Sequence, residues 1–368
     1  MIFFTLSLPK PTQPTRVAAV NAQRSIFCRA VARGVVVFFL LGLFGASCQR
    51  KPNYTLVNHS YEQPRLGEKT FTTNDRQSFS YRKFLSKSKN NSEPKTVVIA
   101  LHGFCGASID YENLGKHLLE KHPDFALYAY EVRGQGLDPV LERRGDIDQA
   151  ENWYRDLDTF TRLVREKHPR ANIVWQGESM GSLILTNAYR CEIDQGLRPA
   201  CDAIIITSPV VGIRGDFPIW KKHTVRAIAK IFPSARLSLD TLSGGQSVKM
   251  TADSSHNEQS ETNAWHVERH TLRLLIQLHD MIEEMKASAS MIKVPTLVVH
   301  GGQDYFNDTA DVEDFYRRLS QVPEKKRLFY PKSHHLLMYD SQKDRVIGDI
   351  GKWLEQLPAR SSHARHHR

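Results

Sequence analysis

The amino-acid sequence predicts an α/β protein with a mostly parallel, eight-stranded sheet flanked by helices. Short apolar runs rich in Val, Ile and Leu alternate with amphipathic helical patterns, as is typical of chains that form parallel sheets. A Gly-x-Ser-x-Gly motif at residues 177–181 lies between one such strand and the helix that follows it. Residues 213–290 interrupt the alternation with helical patterns alone, which indicates an insertion within one sheet.

The Gly-x-Ser-x-Gly motif is the stretch around which the chain is organised. Residues 171–175 are predicted to form a buried strand and residues 182–190 a helix, so Ser179 falls in a sharp strand-to-helix turn. Such a turn brings backbone segments close together, and only small residues such as Gly177 and Gly181 fit on either side of the serine. The turn would expose the Ser179 hydroxyl and direct the Met180 amide to the place where an oxyanion forms.

Seven further strands are predicted from apolar runs and the turn residues that bound them. They cover residues 70–73, 79–84, 96–101, 126–130, 202–207, 296–300 and 326–330. Apolar residues at helical spacing between Trp153 and Val164 predict a core-facing helix that ends before Pro169. A last helix, over residues 342–357, closes the fold.

The strand at 96–101 ends in His102-Gly103-Phe104-Cys105-Gly106. Glycines at such a position let the backbone approach a ligand closely, so the Phe104 amide is a candidate for a second oxyanion donor. A plain strand-to-helix turn is the alternative interpretation.

Residues 213–290 are interpreted as a helical cap between two parts of the core, 70–212 and 291–358. Its first helical face contains Val225, Ile228, Ile231 and Phe232, and its second runs from Leu274 to Met285. A polar stretch at 243–262 separates them and is expected to be mobile. The cap is expected to cover the carboxyl edge of the sheet, although the methionine-containing face could instead pack on the core.

A serine hydroxyl is a poor nucleophile at neutral pH and needs a base, for which imidazole is well suited. The imidazole in turn needs a carboxylate that fixes its tautomer. Asp304 follows the strand at 296–300, and the pair His334-His335 follows the strand at 326–330. Serine, acid and histidine thus each come just after a strand, in an order that a chance motif would not produce.

Five segments together resemble the α/β-hydrolase superfamily, and within it the monoglyceride lipase and lysophospholipase branch. They are Leu101-His102-Gly103-Phe104, Arg133-Gly134-Gln135-Gly136, Gly177-Glu178-Ser179-Met180-Gly181, His300-Gly301-Gly302-Gln303-Asp304 and Ser333-His334-His335.

The resemblance covers residues 70–358. It implies Ser179 as nucleophile, Asp304 as acid and His335 as base, with the amides of Phe104 and Met180 forming the oxyanion hole. His334 is the alternative base and Asp308 the alternative acid. Glu178 occupies a variable position of the family motif, where it would only cap the helix.

The N-terminal region resembles a bacterial lipoprotein signal. Arg29 and Arg33 precede a short apolar run at 34–44, and small residues lead to Cys48. Residues 1–47 are accordingly predicted to be a signal peptide, Cys48 the lipidation site, and 48–69 a lipid-anchored tether. Gly45 stands where an aliphatic residue is usual, and a plain secretory signal or an uncut anchor are the alternatives.

The net charge limits the classes of partner, and the cysteine content raises the question of a disulfide. Half of the net charge of +10 comes from residues 1–47, so nucleic-acid binding is not expected and a mild attraction to anionic lipid is. The tail at 359–368 is basic and is expected to be disordered. Cys191 and Cys201 could form a disulfide in an oxidising compartment or remain unpaired.

The predicted function is hydrolysis of single-chain lipid esters by a protein anchored to a membrane on its periplasmic or cell-surface side. No cofactor is expected, and no Cys-x-x-Cys motif or His cluster suggests a metal. A short-chain carboxylesterase, a thioesterase or an aminopeptidase of the same superfamily is the first alternative. A non-catalytic ligand-binding lipoprotein is the alternative of a different class.

Overall fold

The computed structural model describes residues 63–85, 93–212, 219–238, 249–252 and 263–358. Within these ranges nine strands form one sheet, in the order β1-β2-β3-β5-β4-β6-β7-β10-β11, and β8 pairs with β9 in a separate small sheet. The strands are β1 Arg65–Leu66, β2 Thr70–Thr72, β3 Ser78–Leu85, β4 Thr96–Leu101, β5 Phe125–Tyr130, β6 Asn172–Glu178, β7 Ala203–Thr207, β8 Arg236–Ser238, β9 Arg269–Thr271, β10 Thr296–Gly301 and β11 Lys325–Tyr330.

Helices connect the strands. They are α1 Glu112–Lys121, α2 Glu151–Lys167, α3 Met180–Asp194, α4 Ile219–Ile231, α5 Leu272–Ala289, α6 Thr309–Arg318 and α7 Lys343–Gln356. Strands β1 to β3 and the β3–β5 pair are antiparallel, whereas β5, β4, β6, β7, β10 and β11 run parallel. The carboxyl ends of the parallel strands therefore meet at one edge, with β6 near the centre.

The central strands are continuous apolar runs because both faces of the sheet are covered. In β4, Val97, Ile99 and Leu101 belong to one core cluster, while Val98 and Ala100 belong to the other. Helix α2 contributes Trp153 and Phe160 to the first cluster, and α7 contributes Trp353 to the second. The predicted core face of the α2 helix is confirmed by the burial of its apolar residues.

Helix α5, in the second half of the insertion, packs as part of the core. Leu274, Met281 and Met285 are all buried in the first core cluster. The side-chain amide of Asn187 in α3 donates to the Met281 carbonyl at 3.2 Å and accepts from the Ser288 hydroxyl at 3.2 Å. The core-packing interpretation of the methionine-containing face is the one that the structure shows.

Three short strands correct the predicted element list. The large sheet has nine strands in the described ranges, not eight, because Arg65–Leu66 pairs with β2 inside the segment predicted as a tether. Strands β8 and β9 lie in the insertion, which was predicted to contain no strand. Runs of two or three residues are too short for an alternating pattern to be visible in the sequence.

Residues 63–358 fall within one compact unit, Lys51–Arg368. The predicted signal peptide, Cys48 and the basic tail at 359–368 lie outside the described residues. Among the helices that the structure describes, none combines the length and the hydropathy needed to span a bilayer.

Candidate active site

Ser179 lies in the turn between β6 and α3 and adopts φ 54° and ψ −115°, an unusual conformation for a residue with a side chain. Such a conformation costs about 1–3 kcal/mol and persists only where the surroundings enforce it. A Cβ atom on Gly181 would lie 2.1 Å from the Leu101 carbonyl oxygen, and one on Gly177 would lie 2.4 Å from the Gly181 carbonyl carbon. Both glycines are therefore required for the close approach of β4, β6 and α3.

The turn after β4 lies directly against the serine. A Cβ atom on Gly103 would be 3.2 Å from Ser179 Cβ and 3.8 Å from its Oγ. The Cys105 amide donates to Gln135 Oε1 at 3.0 Å, and the Gly106 amide donates to the Gly103 carbonyl at 3.1 Å. Phe104 directly follows Gly103 in this turn, and the role of its amide as an oxyanion donor stays a prediction.

Asp304 and His335 form a buried pair. His335 Nδ1 lies 2.8 Å from Asp304 Oδ2, and neither side chain has measurable exposure. Asn307 Nδ2 donates to the same oxygen at 3.0 Å, and the Phe306 amide donates to Asp304 Oδ1 at 2.8 Å. Burial raises the pKa of Asp304, but the facing imidazole and these hydrogen bonds outweigh burial and hold the pKa below its usual value.

The Asp304–His335 pair is connected to the serine turn through two consecutive residues. The Ser179 amide donates to the Thr207 carbonyl at 3.0 Å, and the Ser208 hydroxyl donates to the His335 carbonyl at 2.6 Å. His335 Nε2, the ring nitrogen that does not contact Asp304, is buried and has no hydrogen-bond partner in the described part of the chain. Because an ionised Asp304 can only accept a hydrogen bond, the proton of the neutral imidazole lies on Nδ1. Nε2 is then a free acceptor for a hydroxyl proton.

The alternative acid and base are placed elsewhere. His334 Nδ1 lies 3.2 Å from Asp340 Oδ2, and the His334 amide donates to the same oxygen. Asp308 is the N-cap residue of α6, and the ring hydrogen bond of His335 goes to Asp304. The structure thus pairs Asp304 with His335. His334 instead contacts Asp340, and Asp308 lies at the start of α6.

Residues 249–252 of the insertion hydrogen-bond to the loop that contains His335, which is called the histidine loop. The Leu336 amide donates to the Met250 carbonyl at 2.9 Å, and the Ala252 amide donates to Asp340 Oδ1 at 2.9 Å. Thr251 between them is fully buried. Residues 249–252 belong to the polar stretch that was expected to be mobile, and composition gave no signal of these contacts.

Glu178, next to Ser179, is buried rather than exposed as a helix cap would be. Burial raises its pKa well above the usual value, and the nearby carboxylates of Asp110 and Asp304 raise it further. Glu178 Oε1 has no hydrogen-bond partner among the described residues. Burial and these neighbouring carboxylates thus both disfavour a charge on Glu178 beside the Asp304–His335 pair.

Cys105, Cys191 and Cys201 are all free cysteines. The disulfide between Cys191 and Cys201, one of the two alternatives considered, is therefore not formed. Cys191 accepts a hydrogen bond from Gln195, the C-cap residue of its helix, whereas Cys201 is buried just before β7. In the described ranges, no group of three or more His, Cys, Asp or Glu residues is arranged to hold a metal ion.

The model of a family described as serine aminopeptidase, S33, matches residues 92–342. The chain belongs to this family. A carboxylesterase of Bacillus subtilis is 26% identical to this S33-family chain over 264 residues, which are 71% of the chain and 93% of that enzyme. The α/β-hydrolase fold expected from the sequence is thereby shown.

Solved structures agree with this fold. A monoacylglycerol lipase of Paleococcus ferrophilus is similar with a TM-score of 0.62 and 19% identity, covering 75% of this chain and 98% of that one. A monoglyceride lipase of Saccharomyces cerevisiae is similar with a TM-score of 0.63 and 18% identity, covering 83% and 99%. At these identities the likeness is one of fold.

The lowered pKa of Asp304 predicts an acid-dependent loss of stability. A carboxyl whose folded pKa lies below its unfolded value of about 3.9 stabilises the fold above that pH, and the contribution is lost as the pH falls through the folded pKa. We expect the free energy of unfolding, measured with urea, to fall between pH 6 and pH 3. This fall should be smaller for Asp304→Asn than for the wild type. In Glu120→Gln, at an exposed position, the free energy of unfolding should fall as much as in the wild type. An equal loss in Asp304→Asn and the wild type would contradict this account of the pair.

Proposed function

We propose that this protein hydrolyses carboxylic esters of single-chain lipids, of the monoacylglycerol or lysophospholipid type, through an acyl-enzyme on Ser179. The broader class is a serine ester hydrolase of the esterase and lipase type. The observation that carries the proposal is the strained Ser179 turn, which Thr207 and Ser208 connect to the buried Asp304–His335 pair.

The first half of the reaction acylates the serine. His335 Nε2 accepts the hydroxyl proton as Ser179 Oγ attacks the ester carbonyl carbon. The carbonyl oxygen becomes an oxyanion, which the amides of Phe104 and Met180 stabilise, each by about 3 kcal/mol. Asp304 stabilises the imidazolium through the 2.8 Å contact. The carbon–oxygen bond to the alcohol then breaks, and the alcohol leaves with the proton from His335.

The second half releases the acid. His335 removes a proton from a water molecule, whose oxygen attacks the acyl carbon. The same two amides stabilise the second oxyanion. The bond to Ser179 Oγ breaks, the serine recovers its proton from His335, and the carboxylic acid departs. The chemistry of this chain's own residues is sufficient for both halves.

Two features favour a lipid substrate over a small soluble ester. Val225 and Ile231 on α4 of the insertion are exposed, so the insertion presents apolar side chains to its surroundings. Two of the structures with the same fold are a monoacylglycerol lipase and a monoglyceride lipase. The carboxylesterase relative favours the second candidate, a short-chain carboxylesterase, and the family description keeps an aminopeptidase as a further alternative.

We also propose that the protein is an exported lipoprotein, held to a membrane on the periplasmic or cell-surface side. The sequence supports this with two arginines, a short apolar run and small residues that end at Cys48. Two or more acyl chains on Cys48 would bind a bilayer almost irreversibly, at about 0.8 kcal/mol per buried CH₂. A tethered enzyme of this kind would meet lipid esters at the bilayer surface.

Hydrolysis rates measured across acyl chain lengths distinguish a lipid-ester hydrolase from a short-chain carboxylesterase. We expect kcat/KM of residues 49–368 to be higher on monoacylglycerols and lysophospholipids with long acyl chains than on acetate esters, because the apolar chain contributes binding energy. Ser179→Ala is the matched control and should hydrolyse neither. Activity that peaks on acetate esters and vanishes for long chains would contradict the lipid proposal and favour the carboxylesterase.

Metabolic labelling tests the anchor. When the full chain is expressed in a bacterium that processes lipoproteins, we expect radiolabelled palmitate to enter the wild type and not Cys48→Ser. Cys105→Ser is the control for loss of an unrelated cysteine and should remain labelled. Equal labelling of the wild type and Cys48→Ser would overturn the anchor.

A further inference from the structure

We infer that His270, in the insertion, is a positioning residue that holds the Phe104 turn in the conformation needed for oxyanion binding. The inference rests on the proposed ester hydrolysis. It assigns to the insertion a direct part in the rate of the chemical step.

His270 contacts two consecutive residues of the turn. Its ring centroid lies 4.1 Å from that of Phe104, at an interplanar angle of 35°, and its Nε2 lies 3.7 Å from Cys105 Sγ. The Cys105 thiol also lies 3.6 Å from the Val267 carbonyl of the same segment. His270 is fully buried. The insertion thus packs against Phe104 and Cys105 of the same turn whose Gly103 lies against Ser179.

The turn needs such support because its backbone is strained. Cys105 has φ 59°, in the left-handed region that residues with a side chain rarely adopt. A strained segment relaxes unless neighbouring groups fix it. Relaxation at Cys105 would shift the backbone of the turn and, with it, the position of the neighbouring Phe104 amide.

The strand that carries His270 is itself fixed to the core. The Thr271 amide donates to the Gly145 carbonyl at 2.8 Å, and the Thr271 hydroxyl donates to Asp146 Oδ1 at 2.7 Å. Arg273 forms an ion pair with the same buried Asp146. A Cβ atom on Gly145 would lie 2.1 Å from the Arg269 carbonyl oxygen, so the core loop and β9 are in close backbone contact. His270 is therefore mounted on a rigid element.

The ring acts through packing rather than charge. Burial lowers the pKa of His270 to about 3, with smaller contributions from Arg236 and His266, so the imidazole is neutral at the pH where esters are hydrolysed. His270 Nδ1 has no hydrogen-bond partner among the described residues. An apolar aromatic ring in its place would remove an unsatisfied buried nitrogen and keep the face that lies on Phe104.

Steady-state kinetics of the full chain on p-nitrophenyl butyrate test the inference, with rates expressed per titrated serine. In His270→Ala we expect kcat to fall by about 10- to 100-fold with KM nearly unchanged, since a displaced oxyanion donor affects the transition state alone. The inhibition constant of a trifluoromethyl ketone, which forms a tetrahedral adduct, should rise by a similar factor. His270→Phe should recover most of kcat and of the inhibitor affinity.

Met285→Ala is the matched control, because Met285 is also buried in the insertion but packs in the main core cluster. It should lower the melting temperature and leave kcat per titrated serine unchanged. The inference is overturned if His270→Ala behaves like Met285→Ala, or if its kcat falls while the affinity for the trifluoromethyl ketone is unchanged. A wild type that neither hydrolyses esters nor yields a titratable serine would instead overturn the proposed function, and the inference with it.

Discussion

The contact between the first turn of α3 and the end of β4 is the constraint on which the rest of the site depends. Gly181 approaches the Leu101 carbonyl so closely that a single methyl group would not fit. This approach holds Ser179 in its strained conformation and places the Gly103 turn against its side chain. Because β4, β6 and β7 are neighbours in a fully buried sheet, the strain is opposed by a large, close-packed core.

Three parts of the insertion pack against the elements that carry Ser179, Phe104 and His335. Helix α5 packs on α3, which follows Ser179. Strand β9 supports the Phe104 turn, and residues 249–252 hydrogen-bond to the loop that carries His335. The described parts of the insertion thus pack against the core and against the turns of the candidate site, so they are part of the folded body.

The sequence was informative where one element carries a strong local signal. Strand β4 and its neighbours are continuous apolar runs, so both the strands and the parallel sheet were predictable. The Gly177 and Gly181 spacing identified the Ser179 turn for a steric reason that the structure bears out. The choice of His335 over its neighbour came from a family resemblance, because two adjacent histidines after one strand are equivalent in the residue pattern.

What the sequence did not reveal depends on contacts between distant segments. Strands β1, β8 and β9 owe their existence to pairing partners and are too short to show a period. His270 is an isolated histidine in sequence, and only the folded chain places it on Phe104, more than 160 residues earlier. The contacts of 249–252 with the histidine loop likewise involve backbone groups, which leave no mark on composition.

The most direct measurement of the central claim is the rate at which a fluorophosphonate probe labels the protein, with the adduct located by peptide mapping. We expect one adduct, on Ser179. The labelling rate should fall by about three orders of magnitude or more in His335→Ala and stay close to the wild-type rate in His334→Ala. An unlabelled wild type, an adduct on another residue, or equal rates in the two histidine variants would contradict the proposed assembly of Ser179, His335 and Asp304.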